Sequence, residues 1–267
     1  LTHTYRPSHA DYTTQQKYGI LASSGGGRAS ARETIGRVAA ASVAEQILAQ
    51  VLPKLQVVAF VESIHQVKAN NLNLATLSKE VVDQFELRCP DEKAHQEMKT
   101  LVRRVQSLGD SVGGVIRCLI QNMPVGLGSP VFDKLQADLA KALMSIPASR
   151  GFEIGSGFSA CGLMGSEHND EFYMSEGRVR TKTNHSGGIQ GGISNGERVD
   201  VRLAFKPVST IFKSQQTVTS DGRECKLELT KGRHDPCVLP RAVVIVEAMV
   251  NLVIIEHFLR QKLTRIS

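Results

Sequence analysis

At 267 residues with 41% hydrophobic side chains, the chain is long enough to bury a substantial core, so a disordered or fibrous polypeptide is excluded. A formal net charge of +6 and a pI near 9.1 favour anionic partners. With 5% aromatic residues and no tryptophan there is little to stack on bases, which ranks nucleic acid below a small anionic ligand. The cysteines Cys89, Cys118, Cys161, Cys225 and Cys237 are scattered with no C-x-x-C pair. That pattern argues against a disulfide or zinc framework and for reduced thiols in an intracellular compartment, so no structural metal is expected.

The opening residues LTHTYRPSHAD show no charged segment followed by an apolar one, hence no visible signal peptide. In residues 5–11, Pro7 and Ser8 predict a turn that presents His9, whose ordinary pKa suits proton transfer. Residues 23–37, SSGGGRASARETIGR, place three glycines before a helix start. Ser30 and Glu33 have the capping-box spacing, in which serine caps an N-terminal amide and glutamate reaches back. Ile35, Val38, Ala39, Ser42, Val43, Ile47 and Val51 then fall on one helical face. A glycine loop opening on a helix N-terminus and flanked by Arg28, Arg32 and Arg37 suits a multiply charged anion such as a phosphorylated ligand.

Residues 55–61 read as a strand and the asparagine-rich stretch at 70–73 as a surface loop. Residues 91–108 carry Met98, Leu101, Val102, Val105 and Leu108 at helical spacing, with Gly109 as the stop. Residues 115–121 read as a strand. Ser129-Pro130 is the expected cap and first turn of a helix carrying Phe132, Leu135, Leu139 and Leu143 and ending near Pro147. From Gly151, short β-like runs (FEIGSGF) precede a polar loop, SEHNDEF, and no domain linker is visible.

Three later stretches stand out. NHSGGIQGGISNG, residues 184–196, has five glycines, too many for a regular strand, and predicts tight turns or close approach of another group. Val199, Val201, Leu203 and Phe205 alternate with polar residues, a half-buried strand that delivers Lys206, Pro207, Val208, Ser209 and Thr210 at its end. In KGRHDPCVLPRA, residues 231–242, Asp235 sits before Pro236 and is biased to an extended, rigid turn. The run 242–255 is too short to span a bilayer and contains Glu247 and Asn251. Residues 242–263 therefore read as a helix buried in a core or subunit interface.

Together RPSHAD, SSGGGRASARETIGR, NHSGGIQGGISNG, FKPVST and KGRHDPCVLPRA resemble the signatures of chorismate synthases, in order and spacing, across essentially the whole chain. The resemblance implies an α+β sandwich with helices between β-sheets, a single domain over residues 1–267 that is N-terminally incomplete, and a homotetramer. It implies a lyase reaction: trans 1,4-elimination of phosphate from 5-enolpyruvylshikimate 3-phosphate to give chorismate, with reduced FMN, in an intracellular, cytoplasmic or plastid setting without nucleic-acid or membrane partners. NADPH is the implied reductant, directly or through an external flavin reductase. By position, His9, Ser30 and Asp235 resemble catalytic residues: His9 for a proton of the reduced flavin, Ser30 beside flavin and substrate, and Asp235 for removal of the ring proton. Arg28, Ala29, Ser30, Pro147, Ala148, Gly191, Lys206, Pro207, Val208, Ser209, Thr210 and Arg233 resemble flavin contacts. Arg32 and Arg233 resemble substrate-anion contacts. The family's Gly-Glu-Ser-His-Gly-like segment, with the histidine that protonates the leaving phosphate, has no counterpart here, and neither His65 nor His168 replaces it. The expectation is severely reduced turnover for the chain alone.

Two rival readings follow from the residues. A nucleotide-dependent phosphotransferase or other phosphate-ligand enzyme fits poorly, because Gly27 is followed by Arg28-Ala29 rather than the lysine and hydroxyl residue of a P-loop. A basic nucleic-acid-binding module rests on charge alone.

Overall fold

The structure, a computed structural model, describes residues 3–22, 25–229 and 235–264. Seven α-helices are described: α1 Asp11–Tyr18, α2 Ile35–Val51, α3 Lys79–Asp83, α4 Glu92–Ser107, α5 Leu135–Met144, α6 Gly165–His168 and α7 Leu239–Thr264. The strands are β1 Gln56–Ile64, β2 Val67–Lys68, β3 Gly114–Gln121, β4 Ser149–Ile154, β5 Phe172–Ser175 and β6 Arg178–Thr181. They continue with β7 Ile189–Gln190, β8 Ile193–Ser194, β9 Val199–Phe205, β10 Gln215–Val218 and β11 Glu224–Leu227.

One antiparallel sheet runs β2-β1-β3-β9-β4, and β5–β6, β7–β8 and β10–β11 are separate hairpins. Residues paired across strands share a face. The register Ala59↔Cys118↔Val201 and Val61↔Ile116↔Leu203 therefore gathers six apolar side chains on one side. They join Leu135, Leu139 and Leu143 of α5 and Val243, Val246, Val250 and Ile254 of α7 in one core. The other face carries Val58, Phe60 and Leu119 beneath Leu77 and Val82, and beside them a charged group in which Arg117 pairs with Asp200 at 2.6 Å and Arg202 with Glu62 at 3.1 Å. The α+β fold implied by the resemblance is thus present, with α5 and α7 packed on one face of the five-stranded sheet. Residues 3–5 are tied in through Tyr5, whose N–H donates to the Val218 carbonyl at 3.1 Å.

α7 extends past the apolar run at 242–255 to 26 residues, a length and composition sufficient to cross a membrane. Here it packs against β1 and β3 and against α2 and α5, as a core helix.

Several sequence expectations are corrected. α2 buries Ala41, Ala44 and Leu48, whereas Ile35, Val43, Ile47 and Val51 of the apolar stripe face outward. Small side chains at 41 and 44 let α2 approach α7 closely, which turns the larger residues away from the core. No reciprocal capping box forms at Ser30: its Oγ accepts the Arg32 N–H at 3.3 Å, while Glu33 binds Arg28 at 2.6 Å instead of reaching back. A 3-10 turn over Ala31–Thr34 intervenes before α2. α5 begins at Leu135, with Lys134 rather than Ser129 at its N-cap, and Phe132 is 89% exposed. Leu108 is likewise exposed beyond α4, whose Asp91 caps the Ala94 N–H and whose stop, Gly109, takes φ +64°. SEHNDEF holds all but the first residue of α6 and the first residue of β5 rather than loop alone.

Candidate active site

The end of β9 and the start of β4 are sheet neighbours, Phe205 facing Ser149. Lys206, Pro207, Val208 and Ser209 therefore emerge beside Pro147, Ala148 and Arg150. Two bonds hold this loop: the Lys206 N–H donates to the Ala148 carbonyl at 3.0 Å, and Ser111 Oγ donates to the Val208 carbonyl at 2.6 Å. Asp235 is fixed nearby, because the Val112 N–H donates to the carbonyl of the next residue, Pro236, at 2.8 Å. Its carboxylate also pairs with Arg241. From the opposite side come the turn at residues 8–10 and the loop from Arg28 to Ala31.

These segments enclose a cavity of about 660 Å3. Its wall includes His9, Arg28, Ala29, Ser30, Pro147, Ala148, Lys206, Pro207, Val208, Ser209 and Asp235, most of the residues singled out in the sequence. Thr210 and Arg32 are not on this wall. Gly191 lies in the β7–β8 turn and lines a different pocket, with His168, Asp170 and Gln190. Arg233 lies outside the described residues. Sequence reasoning passed over Arg150, which lines the cavity, and Asp11, which supports it from behind. Arg37 was noted only for its charge; it also lines the cavity and is clamped by the Ser145 carbonyl and hydroxyl at 3.3 and 2.8 Å. Arg6 and Asp11 flank His9 within RPSHAD, but the sequence reading singled out neither.

His9 Nδ1 stands 2.7 Å from Asp11 Oδ1. Asp11 is in turn gripped by Arg6 through Nε and Nη2, each at 2.8 Å. Burial is the largest single influence and raises the Asp11 carboxyl, but the hydrogen bonds and charge of Arg6 together with the charge of His9 outweigh it and hold Asp11 below its ordinary value. Burial, followed by the charge of Arg6, draws His9 below its ordinary value despite Asp11. A neutral imidazole whose Nδ1–H is given to Asp11 leaves Nε2 as a proton acceptor. Ser8, at φ +58°, offers its carbonyl to Lys206 Nζ at 3.0 Å, and Lys206 is lowered by burial and by neighbouring Arg150.

The wall thus brings four cations, Arg28, Arg37, Arg150 and Lys206, to one side-chain cluster with Glu33 and Asp235 as its carboxylates. Between them lie short apolar surfaces at Ala29, Ala31, Pro147, Ala148, Pro207 and Val208. Its volume lies in the range that holds a small organic ligand. Cations for phosphate or carboxylate beside flat apolar surface for a ring form a donor set that fits an anionic aromatic cofactor together with an anionic substrate.

A family model described as chorismate synthase matches residues 1–259. The chain belongs to the chorismate synthase family. It is 57% identical over 258 residues to the chorismate synthase of Methylacidiphilum infernorum (isolate V4), covering 97% of this chain and 70% of that one. Against that of Synechococcus sp. (strain WH7803) it is 58% identical over 259 residues, covering 97% and 71%. A solved structure described as "Crystal Structure of Chorismate Synthase" superposes with a TM-score of 0.71 at 33% identity, covering 87% of this chain. The chain spans 65% of that solved chain's length. The family's enzymes are carbon-oxygen lyases of the shikimate pathway to aromatic compounds; they act on 5-enolpyruvylshikimate 3-phosphate and use reduced flavin.

Proposed function

We propose that this protein carries out the family's reaction in the cavity around His9, eliminating phosphate from 5-enolpyruvylshikimate 3-phosphate to give chorismate. The observation that supports this most is convergence: residues from the turn at 8–10, the loop at 28–31, the α5–β4 junction, the β9 exit and Asp235 line one cationic cavity. Arg28, Ala29, Ser30, Pro147, Ala148, Lys206, Pro207, Val208 and Ser209 would hold reduced FMN. When bound, the reduced flavin supplies electron density to the substrate ring with no net redox change.

The chain's own residues do the rest. Arg28, Arg37, Arg150 and Lys206 bind the substrate's anionic groups and stabilise the phosphate as its charge grows on departure. His9 holds or accepts a proton at Nε2, oriented by Asp11. Asp235 accepts a proton as the ring C–H is broken, and Ser30 contributes its hydroxyl beside the reacting groups. For Gly191, Thr210 and Arg32, which do not line this wall, and for Arg233, which lies outside the described residues, the roles rest on the resemblance. This reading draws the acid that protonates the departing phosphate from beyond these 267 residues, within a single incomplete domain.

Further parts of the reading concern the protein's setting. Reducing equivalents come from NADPH, through this protein or an external flavin reductase; an anaerobic assay with NADPH and oxidised FMN alone separates the two. A homotetramer is supported by the outward stripe Ile35, Val43, Ile47 and Val51, which offers apolar area to another subunit. Light scattering at working concentration tests it. Cysteines left unpaired, three of them buried, suit a reducing cytoplasm.

The decisive test is Asp235→Asn in a protein of the relatives' full length, by single-turnover consumption of substrate with pre-reduced FMN. Turnover should fall about a hundred- to ten-thousandfold, the scale of a lost general base, with FMN affinity nearly unchanged. Unchanged turnover would reduce Asp235 to a turn residue.

A further inference from the structure

A second cavity, about 1150 Å3, shares no residue with the one around His9. It lies where the β5–β6 hairpin stands over the end of β3 and the approach to β9, and its wall is strongly basic. Lys54, Arg178, Arg180, Lys182 and Arg198 line it, with Glu197 as the one carboxylate among the described residues. Glu197 is committed to Arg180, which it meets in a two-pronged pair at 2.6 and 2.9 Å. Lys182 pairs with Glu171 at 2.5 Å, and Arg198 stands 3.7 Å from Asp200. Lys54 and Arg178 have no carboxylate partner among the described residues.

A second observation points the same way. Asn195 Oδ1 accepts the Glu197 N–H at 3.0 Å, which fixes the amide, yet Asn195 Nδ2 and Arg198 Nε are buried without any acceptor. Buried donors normally find a partner, so this wall lacks acceptors, not donors. Arginine forks and amide donors in excess match the oxygens of phosphate groups. Beside them, Phe172 is 63% exposed and Val179 56% exposed, and both line the same cavity. An exposed aromatic face next to a cationic groove can stack a planar base.

We infer that this groove is a second ligand site, for a nucleoside polyphosphate: Lys54, Arg178 and Arg198 take the phosphates and Phe172 takes the base. The test is equilibrium dialysis of the whole chain against ATP, pyrophosphate and adenosine at low and moderate salt. ATP should bind saturably, more weakly as salt rises, and more tightly than either fragment. The double variant Lys54→Ala/Arg178→Ala, at exposed positions, should weaken it at least about tenfold with an unchanged melting temperature. Phe172→Ala should weaken ATP but not pyrophosphate, while Arg150→Ala, in the other cavity, should leave ATP binding as it was. The inference is overturned by absence of saturable ATP binding, by loss with Arg150→Ala instead of the double variant, or by pyrophosphate or adenosine binding as tightly as ATP. Tighter binding of an RNA oligonucleotide through the same residues would also overturn it.

Discussion

With Nδ1 2.7 Å from Asp11, and Asp11 held by Arg6, the histidine at position 9 has its ring direction and tautomer set by two neighbours that never enter the cavity wall. Asp11→Asn tests this arrangement. The variant loses the carboxylate that raises His9, so burial and Arg6 act unopposed and the histidine falls further below its ordinary value. If neutral His9 is the working form, the acid limb of the kcat/KM profile moves to lower pH. Turnover on the plateau also drops, because a charged hydrogen bond worth roughly 1.5 to 3 kcal/mol no longer orients the ring. That corresponds to about ten- to a hundredfold. A purely structural Asp11 would lower activity at every pH alike and leave the limb in place.

Among the elements, the β7–β8 hairpin separates two adjacent glycines by their surroundings. Gly191 has φ +61° and open space where a side chain would project. Gly192 has φ +93°, and a Cβ there would lie 2.5 Å from Lys134 Cγ, just where the Leu135 N–H donates to the Gly192 carbonyl at 2.8 Å. Gly191→Ala should cost about 1 kcal/mol, the backbone strain of a left-handed residue. Gly192→Ala adds overpacking against the start of α5 and should cost roughly 2 to 4 kcal/mol. Thermal unfolding measures both. Equal losses would contradict the difference in packing. If Gly191 also contacts the flavin, its alanine variant loses FMN affinity while remaining folded.

The same hairpin shows what could be read in the chain. Five glycines in thirteen residues announced turns, and all five take positive φ, but the strands between them are two residues long, too short for any periodicity. β9 was legible because Val199, Val201, Leu203 and Phe205 are at most 4% exposed on a regular alternation. Asp200 between them is also buried, through Arg117, a partner 83 residues away that local pattern does not reveal. On α2 the apolar stripe was real but faces outward, since which side a helix buries depends on its neighbours. In the site, glycine runs and clustered arginines were readable, whereas Arg150 enters only because β4 lies next to β9.

At the scale of the whole molecule, α7 carries one carboxylate into the core. Glu247 Oε1 accepts the Ala59 N–H at 2.9 Å, filling a hydrogen-bonding position on the open edge of β1, and its other oxygen is 3.9 Å from Lys79 Nζ. Burial raises Glu247 from an ordinary 4.5 to about 7, against the opposing pull of the Ala59 N–H and Lys79. Because the folded value lies above the unfolded one, the folded protein retains a proton that the unfolded chain releases. This contribution to stability is complete below about pH 4.5 and is lost as pH rises through about 7. At about 1.4 kcal/mol per tenfold change in protonation, the full loss is roughly 3 kcal/mol. Glu247→Gln keeps an acceptor for Ala59 and cannot ionise, so it lacks the loss. Urea unfolding of both proteins from pH 4.5 to 8 should show the variant gaining on the native protein by that order across the interval, with the change centred between pH 5 and 7. Parallel stability curves would mean that Glu247 reaches solvent when ionised and that its carboxyl does not titrate with folding.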